Sequence, residues 1–244
     1  MPGQQPVTVV VVTLDKPFLI IGHRGAAGLE PENTLRSFSR AVELGVDAIE
    51  LDVHWVHDEL LVIHDDTLER TTNGSGLLDS ISLQALRELD AGAGERIPTL
   101  AEALDLLSVH CAVNIELKGP DTAAPVARLL AERYSHAELL VSSFMLTELR
   151  AFHERSPEVP VGPLFGRRAP DLGKLEASLS PWSVNLSRRN ANEALIRSIR
   201  DAGYRCLIYT VNDPDEATAL FECGASGVFT DFPDRVRRPT GTDG

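Results

Sequence analysis

The chain has 244 residues, 43% apolar and 24% charged, with a formal net charge of −13 at pH 7. That balance is ordinary for a soluble globular protein with a sizeable core, in one large domain or two small ones. The acidic excess argues against nucleic acid or an anionic membrane surface as a partner, but a small anionic substrate is still allowed.

The start of the chain, Met1-Pro-Gly-Gln-Gln-Pro, lacks the basic residues and long apolar core of a secretory signal, so the expected compartment is the cytoplasm. Residues 7–12 hold the longest purely apolar run, 9–12, which is far too short to span a bilayer, and no stable membrane association is expected. They suit a strand closing the bottom of whatever follows. From there short apolar runs alternate with helical patterns to the end. Strands are predicted at 18–22, 48–53, 112–117, 139–143, 161–165, 183–186, 206–211 and 227–230. Helices are predicted at 34–44, 99–107, 123–133, 146–155, 191–202 and 214–222. Asn33 or Thr34 can cap the first helix, and Asp213-Pro214 reads as a cap followed by a first-turn proline. Eight strands in βα alternation predict an α/β fold, a single (β/α)8 TIM barrel over residues 18–238. A doubly wound sheet would usually carry a G-x-G-x-x-G loop, and none is present.

Residues 1–17 are then an extension and 239–244 a tail. A hairpin is expected at 54–63, followed by an insertion at about 66–97 after strand two. Within it, Leu83, Leu86 and Leu89 share one face of a short helix that should pack on the barrel rim. The segment 64–76, with its Thr71-Thr-Asn-Gly-Ser-Gly76 run, is left as a flexible wall. Cys111, Cys206 and Cys223 have no C-x-x-C spacing, which favours reduced, mostly buried thiols. The sequence leaves a homo-oligomer open.

Chemistry concentrates on two of the strands. In Ala48-Ile-Glu-Leu-Asp-Val53, Glu50 and Asp52 share one face while Ile49, Leu51 and Val53 share the other. In Asn114-Ile-Glu-Leu-Lys118, Asn114, Glu116 and Lys118 share a face. A solvated edge strand would show the same alternation. In a buried parallel sheet the three carboxylates would repel one another unless a cation sat among them, and hard oxygen ligands suit Mg2+ or Ca2+.

Beside these strands stand Gly22-His-Arg-Gly25, Pro31-Glu-Asn-Thr34, Ile63-His-Asp65 and a late Gly227-Val-Phe-Thr-Asp-x-Pro233. In their order and over nearly the whole chain, these motifs resemble the glycerophosphodiester phosphodiesterase family. The resemblance implies one divalent metal ion, held by Glu50, Asp52 and Glu116, and a catalytic pair, His23 and His64. It implies hydrolysis of a glycerophosphodiester to glycerol phosphate and an alcohol. Arg24 can grip two phosphate oxygens in its planar fork, and Lys118 adds a point charge. Tyr209 stands where the family commonly has tryptophan and could still wall the glycerol carbons. In a (β/α)8 barrel these groups all fall at the C-terminal ends of the strands, where such active sites lie.

Other residues read as structural. His54, His57, His110, His136 and His153 fall on hairpin or helix surfaces without a partner motif. Glu32 and Asn33 are placed to hold Arg24, Asp231 to fix a loop, and Trp55 and Trp182 to pack. The rivals are a lysophospholipase D or other phospholipase D acting on lipid diesters with the same residues, and a barrel that binds phosphodiesters without turnover.

Overall fold

The computed structural model describes residues 13–238, so the strand expected at 7–12 and the tail at 239–244 lie outside the described residues. In chain order the first elements are β1 (Leu19–Gly22), α1 (Leu35–Glu43), β2 (Ala48–Val56), β3 (Glu59–Val62), α2 (Leu83–Glu88) and α3 (Leu100–Leu107). Then come β4 (Ala112–Leu117), α4 (Ala123–Arg133), β5 (Leu139–Ser143), α5 (Leu146–His153), β6 (Val161–Phe165) and α6 (Leu172–Ser178). The chain continues through β7 (Ser183–Ser187), α7 (Glu193–Asp201), β8 (Arg205–Tyr209), α8 (Pro214–Glu222) and β9 (Gly227–Thr230). β1 pairs in parallel with both β2 and β9, which closes eight strands into a barrel and leaves β3 as an antiparallel flap on β2. The fold is a (β/α)8 TIM barrel, as the alternation predicts.

Every barrel strand is buried on both faces, so its period-2 pattern sorts residues between two cores. Ile49, Leu51 and Val53 of β2, with Val113, Ile115 and Leu117 of β4, face outward into the layer beneath the helices, against Phe38, Leu104 and Val126. Ala48 and Ala112 face inward, where Leu19, Ile21, Leu140, Leu207 and Phe229 fill the barrel and Leu14 joins them. Each of the buried Val, Leu, Ile and Phe side chains among these is worth about 1.5–3 kcal/mol relative to exposure. By the same parity Glu50, Asp52 and Glu116 face inward, one or two layers above the alanines. The alternation that could have marked a wet edge therefore marks the barrel lumen.

Helix starts follow local chemistry. Thr34 caps α1 by accepting from Ser37 N, Asp213 caps α8 ahead of Pro214, and Thr99 and Glu102 form a capping box on α3. The sequence reading missed α6, whose seven residues hold too few apolar positions to show a period. Among the described residues no helix follows β9.

The excursion after strand two is a real subdomain-like flap. β2 outruns the barrel and turns back through His57 and Asp58, both at positive φ (51° and 58°), into β3. Beyond it, Leu61, Ile63, Leu68, Leu78, Leu86, Ala91 and Ile97 form a small core of their own, with Leu83 and Leu89 packed against it. The helix predicted from the leucine spacing is present, and its leucines pack into this small core of the excursion. The run at 71–76 is pinned rather than free. Thr72 N donates to Leu68 O, Gly74 N to Thr72 Oγ1, Asn73 N to Asp90 O, and Gly76 N to Glu69 Oε1.

Candidate active site

The ladder between β2 and β4 sets Glu50 beside Asn114 and Asp52 beside Glu116. Carboxylate oxygens of Glu50, Asp52 and Glu116 lie within 4.8 Å of one another, all three residues buried. Arg24 N donates to Glu50 Oε2 (2.9 Å) and Asn33 Nδ2 to Asp52 Oδ2 (2.9 Å). Lys118 Nζ donates to Glu116 Oε1 (2.7 Å) and stands 3.4 Å from Asp52 Oδ1. Arg24 Nε is 3.1 Å from Asp52 Oδ2.

These cations do not cover the cluster. Glu50 Oε1 and Asp52 Oδ1 are buried without a hydrogen-bond partner, and so are both amide atoms of the neighbouring Asn114. Burial and the Asp52 charge push the Glu50 carboxyl up to about 8, and the same two causes raise Glu116. Asp52 goes the other way: burial would raise it, but Arg24 and Lys118 hold it below its ordinary value. Unpartnered carboxylate oxygens converging in a buried lumen fit a hard divalent cation, which would satisfy them and discharge their repulsion.

Two imidazoles border the cluster. His23 follows β1; its Nδ1 is 2.7 Å from Asp231 Oδ1 and its Nε2 4.0 Å from Glu50 Oε2. Asp231 is fixed in turn, since its Oδ2 accepts from Asn212 Nδ2 (2.8 Å) and its own N–H donates to Asn212 Oδ1 (2.9 Å). His64 Nδ1 hydrogen-bonds Asp65 Oδ1. A carboxylate can only accept, so both rings carry the proton on Nδ1 and leave Nε2 for chemistry. Burial would lower the His23 pKa, but the Asp231 hydrogen bond and the Glu50 charge raise it overall. For His64 burial, with Arg24 and Lys118, outweighs Asp52 and Asp65 and lowers it.

A chain of ion pairs ties the two halves of the mouth. Arg24 Nη1 donates to Glu32 Oε1 (2.7 Å), Glu32 accepts twice from Arg70 (2.7 and 2.9 Å), and Arg70 also holds Asp65, the partner of His64. With Arg70 as first cause and His64 helping, Asp65 is held down to about 2. The opposite wall is apolar. His23, Arg24, Glu50, His64, Asn114 and Glu116 share a cavity of about 150 Å3 with Phe144, Leu164, Tyr209 and Phe229. Tyr209 packs edge-on against both Phe144 (5.9 Å) and Phe229 (6.3 Å).

All eight residues singled out in the sequence therefore gather at one mouth or line its cavity. Three readings change. Asp231 does fix its loop, but it also grips His23, which the Thr-Asp-x-Pro motif alone did not reveal. Asn33 holds Asp52 and leaves the α1 cap to Thr34. His54 is buried rather than on a surface, with Nε2 3.1 Å from the His64 carbonyl, so it braces the segment that carries His64. Its alternation on a strand that outruns the barrel was the available signal.

A parallel barrel with a carboxylate-lined mouth, two imidazoles and two cations defines a hydrolytic class of site suited to a phosphoester. Comparison with known proteins narrows it. The profile of the glycerophosphoryl diester phosphodiesterase family matches residues 23–235. The glycerophosphodiester phosphodiesterase of Caldanaerobacter subterraneus subsp. tengcongensis is 33% identical over 232 residues, 89% of this chain and 96% of its own. Human lysophospholipase D is 26% identical over 269 residues, 89% of this chain and 84% of its own. An Oleispira antarctica phosphodiesterase, solved in complex with its product sn-glycerol-3-phosphate, superposes with a TM-score of 0.84 at 33% identity, covering 89% of this chain and 94% of that one. The chain belongs to the glycerophosphoryl diester phosphodiesterase family and is an enzyme of that class.

Proposed function

We propose that the enzyme hydrolyses small glycerophosphodiesters to glycerol phosphate and an alcohol, with one divalent ion, Mg2+ or Ca2+, held by Glu50, Asp52 and Glu116. The observation that carries this is the buried carboxylate trio with unpartnered oxygens, flanked by two imidazoles whose Nδ1 atoms are already engaged. When bound, the ion neutralises phosphate charge and polarises the phosphorus centre.

The chain's own residues do the rest. Arg24 and Lys118 gather the phosphate oxygens, as point and fork charges already held in place by Glu32 and Glu116. One imidazole Nε2 accepts a proton from the attacking water as its oxygen bonds to phosphorus, and the other gives a proton to the departing alkoxide oxygen as the phosphorus–oxygen ester bond breaks. Asp231 and Asp65 hold the rings in the tautomer this needs. Tyr209, Phe144 and Phe229 form the apolar wall for the glycerol carbons.

Replacing His23 or His64 by Ala should cost roughly 10²–10⁴-fold in turnover. A nitrophenyl ester, which needs no protonation on leaving, should rescue one of the two variants and thereby identify the general acid. Equal losses on good and poor leaving groups in both variants would contradict the acid–base pair.

The likeness to human lysophospholipase D supports a second reading, cleavage of lysolipid diesters by the same residues. Against it, the exposed large apolar side chains among the described residues are Leu29, Leu77, Val109 and Phe144, and of these Phe144 alone lines the active-site cavity, which is short of a groove for an acyl chain. The proposed setting is the cytoplasm: Cys111 and Cys206 are free and buried, and burial lifts both thiols to about 12. Among the described residues no helix is long and apolar enough to cross a membrane.

A further inference from the structure

The active-site cavity, at about 150 Å3, falls below the roughly 300 Å3 from which ligand-enclosing pockets begin, so part of the diester must extend beyond it. The neighbouring space on the β6–β7 side is basic. A second cavity of about 390 Å3 lies between the loops after those strands, lined by Gly166, Arg167, Ser187, Arg189 and Asn190. Gly166 joins the two: a Cβ there would lie 3.6 Å from the Phe144 ring and 4.0 Å from the Tyr209 hydroxyl, both on the active-site wall.

The two loops are tied into one surface. Ser187 Oγ donates to Gly166 O, Asn190 Nδ2 donates to Arg168 O (2.9 Å), and Arg188 N donates to Tyr209 O. Four arginines therefore meet on two adjacent loops of a chain with a net charge of −13. Arg188 turns away to pair with Glu216. Arg167, Arg168 and Arg189 are exposed and make no ion pair among the described residues. The opposite flank of the mouth differs, since Glu30, Glu32 and Asp90 border its cavity and Arg70 there is already paired to Glu32.

From this juxtaposition we infer that Arg167 and Arg189 form an anion subsite for the alcohol half of the substrate. The enzyme then prefers glycerophosphodiesters whose alcohol carries a second negative charge, such as a phosphate monoester, over those with a cationic head group. The subsite rests on the phosphodiesterase reading above. Arginine forks at two points suit a phosphate's several oxygens, and neither arginine lines the cavity that holds Glu50 and Glu116, so the chemistry is left untouched.

The test compares kcat/KM for glycerophosphocholine and for glycerophosphoglycerol phosphate, at low and at high salt, in the wild type and in R167Q/R189Q. The wild type should favour the anionic diester by about tenfold or more at low salt, with the preference shrinking as salt screens it. In the double variant the two substrates should come within about threefold while glycerophosphocholine turnover holds, which also reports an intact fold. A wild-type ratio near one, a ratio retained by the variant, or an equal fall on both substrates would each overturn the subsite. Failure of the wild type to cleave either diester would instead remove the phosphodiesterase reading itself, and the subsite with it.

Discussion

Glu50 is enclosed at the centre of the site with one oxygen lacking any partner, and its environment makes a signed prediction about pH. Its pKa rises from an ordinary value near 4.5 to about 8, through burial first and Asp52 second. Folding without the ion therefore holds a proton there. Stability from this group is full below pH 4.5 and is eroded as pH climbs through about 8. A divalent ion must displace that proton, so its apparent affinity and the thermal shift it brings should grow from pH 5 towards pH 8. Calorimetry in buffers of different ionisation enthalpy should detect the released proton; an affinity independent of pH in that window would contradict the assignment. Asp231 makes a second prediction. Asp231→Asn keeps the loop hydrogen bonds possible but offers His23 a weaker, ambiguous partner. It should lower kcat by on the order of 10–100-fold with little change in KM or in ion affinity. A fall in stability with unchanged kcat would reduce Asp231 to a loop anchor.

At the scale of the element, what the sequence made legible was periodicity. β2 and β4 announced themselves by alternation, and the same alternation placed Glu50, Asp52 and Glu116 on one face. Their neighbourhood in space could be read only once a barrel was assumed, because the β2–β4 register joins residues some sixty positions apart. The contacts that were not legible are long-range and side-chain to side-chain: Asp231 to His23, and Arg70 to Glu32. No local pattern encodes them. α6 escaped because it is short and half polar. The flap was legible in its leucines, and Leu86, fully buried in its small core, offers the check. Leu86→Ala should cost about 2–5 kcal/mol if the flap unfolds with the barrel. Urea unfolding together with hydrogen exchange would distinguish that from a flap that opens alone, which would show early exchange confined to residues near 61–97.

For the whole molecule, the closed barrel explains how an acidic protein can serve an anionic substrate. Its carboxylates are drawn inside as a candidate cation site, while Arg24 lines the mouth, Lys118 pairs with Glu116 and Asp52 there, and Arg167 and Arg189 line the neighbouring cavity. The cavity is small, at about 150 Å3, and Phe144 is the one exposed large apolar side chain that lines it among the described residues. Glycerophosphocholine and glycerophosphoethanolamine should therefore both be cleaved, and lysophosphatidylcholine clearly more slowly. A kcat/KM favouring the lysolipid by about tenfold would promote the lysophospholipase reading. The most direct measurement is release of glycerol phosphate from glycerophosphocholine by protein stripped with EDTA and then titrated with Mg2+ or Ca2+, beside Glu50→Gln, with the ion's thermal shift recorded on the same samples. The account predicts no turnover after stripping and recovery with one of the ions. In Glu50→Gln it predicts neither turnover nor thermal shift. Full activity in EDTA, or a Glu50→Gln enzyme that the ion restores, would contradict it.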